Sequence, residues 1–104
     1  MAIELTSENF RQKVSEAEKP VLVDFWAAWC PPCRDFSAAI SEAADEITVC
    51  RVNVDDEPEL AAAFHVSTVP SVALVKGGKV VSMVAGACPK EQLQQMVGSA
   101  LPKK

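Results

Sequence analysis

The stretch Val21-Leu22-Val23-Asp24-Phe25-Trp26-Ala27-Ala28-Trp29-Cys30-Pro31-Pro32-Cys33-Arg34 decides the reading of this chain. Its opening, Val21 to Trp26, is a nearly continuous run of apolar β-formers, which predicts a strand buried on both faces of a sheet. Asp24 interrupts that run. An ionised carboxylate in a buried strand costs several kcal/mol unless compensated, so Asp24 either reaches water at a strand edge or is held inside for its chemistry. Beyond the cysteines, Phe36, Ala39-Ile40 and Ala43-Ala44 recur at helical spacing, and proline is favoured at a first helical position. Cys30 and Cys33 therefore fall at a strand-to-helix junction, on the N-terminus of the helix.

Working outward, Ile3 to Leu5 reads as a short strand. Thr6-Ser7 offer N-cap oxygens to a helix whose apolar face is Phe10, Val14 and Ala17, and Pro20 stops it. Thr48 to Val54 is a second buried-type strand. Asp55-Asp56-Glu57-Pro58 then places acids at the positive end of a short helix, Glu59 to Phe64. Thr68-Val69-Pro70 is a turn. Ser71 to Val75 and Val80 to Val84, joined by Lys76-Gly77-Gly78-Lys79, read as a hairpin, because Gly-Gly supplies the positive φ of a tight turn. A last helix, Lys90 to about Leu101, carries Leu93, Met96-Val97 and Ala100-Leu101 on one side. The order β-α-β-α-β-α-β-β-α predicts an α/β layered sandwich.

The 104 residues fit a single domain, residues 1–104, at roughly 150 residues per domain. With 49% hydrophobic and 23% charged residues the composition is globular. The net charge is −4, and the basic residues are scattered apart from Lys103-Lys104, which argues against a nucleic-acid partner. No apolar run approaches the ~18 residues of a membrane span, and Met1-Ala2-Ile3-Glu4 does not resemble a signal peptide. The expectation is a cytoplasmic monomer with no membrane contact. Cys30, Cys33, Cys50 and Cys88 are too few to build a disulfide scaffold, so they call for a chemical explanation.

Cys30 and Cys33, three residues apart at a helix N-terminus, can close a small disulfide. A thiolate there feels the helix dipole and can accept orphan backbone N–H groups, both of which lower its pKa below the ordinary ~8.5. That makes Cys30, expected to be exposed, the nucleophile that attacks a substrate disulfide. Cys33, one helical step inward, is the resolving thiol that attacks Cys30 and releases the reduced substrate. A zinc half-site is the competing reading, but Cys50, Cys88 and His65 lack paired ligand spacing, so no metal is expected.

The residues Val23 to Arg34 resemble the active-site stretch of the thioredoxin family, and the likeness extends from about Ile3 to Leu101. Asn53-Val54-Asp55 at a strand end, Thr68-Val69-Pro70-Ser71 and Val84-Ala85-Gly86 are similar to further family segments. The resemblance implies a thioredoxin-like three-layer sandwich, with a central mixed β-sheet flanked by helices. It implies a thiol–disulfide oxidoreductase that reduces protein disulfides with a redox-active Cys30–Cys33 disulfide and no bound cofactor. A flavoprotein thioredoxin reductase or a small-thiol donor would recharge it. The resemblance also gives Asp24 the role of exchanging protons with Cys33, which suits a carboxyl whose pKa burial raises. It makes Val69-Pro70 a cis bond that exposes the Val69 backbone beside Cys30, and it puts Trp29, Pro31, Pro32, Val69, Pro70 and Gly86 on the substrate-binding surface.

The sequence departs from the family pattern at several points. Pro31 stands where thioredoxins usually carry Gly, removing an N–H and stiffening the loop; the resulting Cys-Pro-Pro-Cys is also seen in tryparedoxins and nucleoredoxin-like proteins. Ala38 replaces a helix-kinking proline, and Asp35 adds a negative charge past Cys33 that would raise thiol pKa values. Arg51 replaces a common Lys beside the buried acid, where a guanidinium would hold Asp24 ionised. Cys50 reads as an inert core residue and Cys88 as a loop thiol near the active surface. Two further functions stay open: a thioredoxin-fold binding module or regulatory subunit without turnover, and a thiol oxidase or isomerase.

Overall fold

The computed structural model describes residues 2–44 and 46–100, so Leu101, assigned above to the last helix, lies outside the described residues. β2 (Val21–Trp26) runs through the middle of a five-stranded sheet of order β1-β3-β2-β4-β5. The other strands are β1 (Ile3–Glu4), β3 (Thr48–Asn53), β4 (Ser71–Lys76) and β5 (Lys79–Ala85). β1 and β2 pair parallel with β3, while β4 pairs antiparallel with both β2 and β5. The sheet is therefore mixed, with helices on both sides, as the resemblance implies.

Strand alternation sorts the core. Val21, Val23 and Phe25 point to one face, where they pack with Val52, Ala73, Val75, Leu60 and Phe64. Phe64 packs on Phe25 at 5.1 Å with the rings tilted by 56° and meets Phe10 edge-on at 5.7 Å, which ties α2 (Pro58–Ala63) and the first helical segment to the sheet. Leu22 points the other way, into Phe36 and Ile40 of α1 (Pro31–Ala43) and Leu93, Met96 and Val97 of α3 (Lys90–Ala100). Each fully buried side chain of this size contributes about 1.5–3 kcal/mol. Asp24 and Trp26 follow Leu22 on the α1 side, and Asp24 sits in register with Arg51 of β3.

The elements agree with the sequence reading to within a residue or two at their ends, with two differences of kind. The first helix is a π-helical turn, Arg11–Ser15. Thr6 caps its approach as expected, its Oγ1 accepting from the N–H groups of Glu8 and Asn9, but Glu16 N–H bonds back to the Arg11 carbonyl at 2.8 Å, five residues away. The spacing of Phe10, Val14 and Ala17 reports which face is buried and leaves the hydrogen-bond register free. The second is in the hairpin. Gly77 and Gly78 make its turn with φ of 61° and 78°, yet Leu74 faces Ser82 while Val75 faces Val80, so Val81 bulges out of the edge strand. A bulge there blunts the edge against pairing with another chain.

Candidate active site

The α1 N-terminus meets the end of β2 where the sequence places it. Cys30 is the N-cap residue, Pro31 and Pro32 open the helix, and Cys33 follows in its first turn, disulfide-bonded to Cys30 across a Cα–Cα distance of 5.4 Å. Proline at these positions forfeits only N–H groups that a helix start leaves unpaired. It also changes the expected chemistry. Pro31 and Pro32 offer no donor to a Cys30 thiolate, and Cys33 N–H is engaged by the Cys30 carbonyl at 3.1 Å.

Cys30 is less open than expected. It keeps 7% of its surface against 2% for Cys33, because Ala27 and the flanks Val54 and Val69 close around the pair. The neighbouring Trp29 is the exposed residue, at 67%, with its indole N–H on Asp55 Oδ2 at 2.8 Å. Val69–Pro70 is cis, as the resemblance implies, and Val69 packs on the cysteine cluster while Pro70 is buried. Gly86, at φ 86°, donates its N–H to the Pro70 carbonyl at 2.8 Å and so joins the hairpin's end to that loop. Trp29, Val54, Val66, Ser67, Thr68 and Val69 line a shallow groove of about 330 Å³ beside the disulfide. Pro31 and Pro32 are exposed at the helix start.

Asp24 is inside the protein, 1% exposed, which removes the strand-edge reading. Its Oδ2 accepts the Ser37 hydroxyl at 2.5 Å, and Arg51 Nε lies 3.7 Å from the same oxygen, beyond hydrogen-bond reach. Arg51 does not serve Asp24 alone: its Nη1 bonds Glu4 Oε2 at 2.9 Å and its guanidinium stacks 4.3 Å over the Trp26 ring. Burial therefore wins. It raises the Asp24 pKa from 3.8 to about 6, against the opposing pull of the Ser37 hydrogen bond and the Arg51 charge, with Glu4 adding a smaller upward push. The expectation that Arg51 holds Asp24 firmly ionised is corrected by this sharing of the guanidinium.

Ser37 was not visible as a site residue in the sequence. Its signal is positional: it follows Cys33 by one helical turn on the stripe that carries Phe36 and Ile40, a polar residue where the face is otherwise apolar. Cys50 is buried with its thiol pushed up to about 11, as an inert core residue would be. Cys88 is half-buried against the α1 and α3 core, and burial raises its thiol as well. Among the described residues no cluster of His, Cys, Asp and Glu could hold a metal ion, and no helix is long and apolar enough to cross a membrane.

The sequence of residues 1–99 matches the family model described as Thioredoxin. The chain is 44% identical over 101 residues to "Thioredoxin" of Alicyclobacillus acidocaldarius subsp. acidocaldarius, covering 93% of this chain and 95% of that one. It is 41% identical over 98 residues to "Thioredoxin 1" of Nostoc sp., covering 90% and 92%. Against "Thioredoxin" of Streptomyces clavuligerus it is 41% identical over 92 residues, 86% of each chain.

Proposed function

This chain belongs to the thioredoxin family, and from that premise we propose how its residues divide the work of dithiol–disulfide exchange. It is a protein-disulfide reductase whose redox-active group is the Cys30–Cys33 disulfide, with no bound cofactor. In the reduced protein the Cys30 thiolate attacks one sulfur of a substrate disulfide, forming a mixed disulfide and expelling a substrate thiolate. Cys33 then gives its proton to the Asp24 carboxylate, and its sulfur attacks Cys30 Sγ. The second substrate thiolate leaves, and the two substrate thiolates take up two protons: the one Asp24 received from Cys33, which restores the carboxylate, and one from solvent that replaces the proton Cys30 lost on ionising. The substrate has gained two electrons and two protons, and Cys30–Cys33 is again a disulfide.

The observation that carries this assignment is the buried carboxyl behind the cysteine-capped helix. A group with a pKa near 6 is mostly ionised at neutral pH, so it can accept the Cys33 proton, yet it is basic enough to hold it. The groove formed by Trp29, Val54 and Val69 would receive the chain around the substrate disulfide, with the Val69 backbone pairing an extended segment. Gly86, Pro31 and Pro32 complete that surface, while Pro70, expected on it, is buried beside it.

The oxidised protein is returned to the dithiol by a flavoprotein reductase or a small-thiol donor, and the single domain acts as a monomer in a reducing compartment such as the cytoplasm. Free Cys50 and Cys88 fit such a compartment. The test is reduction of a disulfide-linked protein such as insulin, with Cys33→Ser beside the native chain. Turnover by the native chain, and a mixed disulfide trapped on Cys30 in the variant, support the roles. Absence of both would favour a binding module that uses the same surface without turnover.

A further inference from the structure

We propose that Ser37 is a positioning residue for Asp24, pinning one carboxylate oxygen so that the other is presented for proton exchange. The proposal rests on the reading of Asp24 as the proton acceptor for Cys33. Both polar partners of the carboxyl converge on Oδ2, the Ser37 hydroxyl at 2.5 Å and Arg51 Nε at 3.7 Å. Oδ1 is buried and has no hydrogen-bond partner among the described residues. A buried acceptor left unpaired is costly, so an orphaned Oδ1 beside an Oδ2 that holds the Ser37 hydrogen bond marks the oxygen that gains a partner during the reaction. The strand partner on the other side is Val72, which offers no polar side chain.

Ser37 links the buried carboxyl to a cleft that Ser37 itself lines. This cleft of about 810 Å³ opens beside the disulfide, lined by Cys30, Cys33, Ser37, Arg51 and Trp26 among others, while Asp24 is buried and is not part of its lining. A helix interior gains nothing from serine as such, since alanine is the better helix former. Here the hydroxyl crosses from α1 to β2 and fixes the rotation of the carboxylate. With Oδ2 held, the Cys33 S–H bond breaks toward Oδ1, the proton becomes the carboxylic acid proton, and the sulfur keeps the electron pair that forms the bond to Cys30 Sγ. The charged groups bearing on the carboxyl are Arg51 of β3 and Glu4 of β1, and neither is on the helix that carries Ser37.

The experiment compares the native chain with Ser37→Ala, Ser37→Thr and Asp24→Asn. It reads the Asp24 carboxyl titration by NMR and the pH profile of release of a mixed disulfide formed on Cys30. Ser37→Ala is expected to raise the Asp24 midpoint by about one pH unit or more, because a hydrogen bond to the ionised form is lost. The release profile should move up with it, giving roughly tenfold slower release at pH values below both midpoints, and Ser37→Thr should restore both. An Asp24 midpoint that stays in place in Ser37→Ala overturns the positioning role, whatever Asp24 does. If Asp24→Asn leaves the release profile of the native chain unchanged, the reading of Asp24 fails, and the role of Ser37 in the reaction fails with it.

Discussion

The indole N–H of Trp29 donates to Asp55 Oδ2 at 2.8 Å, joining the residue before the reactive pair to the loop that leaves β3. The bond spans 26 positions of sequence and holds a ring that is 67% exposed. An exposed aromatic held in one orientation presents contact area with little entropy left to lose on binding. Trp29→Ala is therefore expected to weaken reduction of protein disulfides several-fold while sparing small disulfides. Asp55→Ala, which frees the ring without removing it, should fall between the two. Comparison of insulin with a small aromatic disulfide as substrates checks both, and an equal loss on the two substrates would remove Trp29 from the contact surface.

Among the four cysteines, Cys30 is expected to be the one that alkylates rapidly in the reduced protein at neutral pH. It caps a helix N-terminus and keeps more surface than Cys33, while the Cys50 thiol is buried and pushed up to about 11 and burial raises that of Cys88. Iodoacetamide followed by peptide mapping should show fast incorporation at Cys30, with Cys50 reacting only in denaturant. Labelling of Cys33 as fast as Cys30 would contradict the division between attacking and resolving thiols.

The hairpin turn offers a paired stability test. Gly77 and Gly78 both have positive φ, but a Cβ on Gly77 meets nothing within 4 Å whereas one on Gly78 would come within 2.9 Å of the Ser15 carbonyl oxygen. Alanine at Gly77 should cost about 1 kcal/mol for the left-handed backbone, and alanine at Gly78 about 2 kcal/mol or more, since backbone must also move. Urea unfolding of the two variants reads the difference, and equal losses would mean that the turn does not pack on the first helical segment.

Much of this was written locally. The apolar run of β2, the glycine pair of the hairpin and the helical repeat after Cys33 each report on a short window, and each element formed where its window placed it. The missing parts lie between windows. The Ser37 bond to Asp24 and the Trp29 bond to Asp55 join residues 13 and 26 positions apart, and no pattern of apolar spacing encodes them. Arg51 illustrates the same limit. Its place beside Asp24 followed from the resemblance, but its division between Glu4, Trp26 and Asp24 depends on three elements meeting, and that division lets burial set the carboxyl's pKa. The covering of Cys30 by Val54 and Val69 likewise comes from the turn after β3 and the cis-proline loop, not from the helix that carries the cysteine.

The raised pKa of Asp24 has a stability consequence whose sign can be worked out. The unfolded chain loses this proton near 3.8 and the folded chain near 6, so between those values the folded state binds more protons. Stability then falls as pH rises through the window and stays lowered above it, by on the order of 3 kcal/mol for a shift of this size. Asp24→Asn removes the titration and keeps the side-chain volume and a polar partner for Ser37. The variant is expected to be more stable than the native chain at pH 7 by a large part of that figure, with the advantage shrinking as pH drops toward 4, where the native carboxyl is neutral. Denaturant unfolding of both proteins between pH 4 and pH 8 makes the comparison. A native chain that grows more stable from pH 4 to pH 6 relative to Asp24→Asn would mean that Arg51 and Ser37 outweigh burial. The carboxyl would then titrate below its ordinary value and would be too weak a base to take the proton of Cys33.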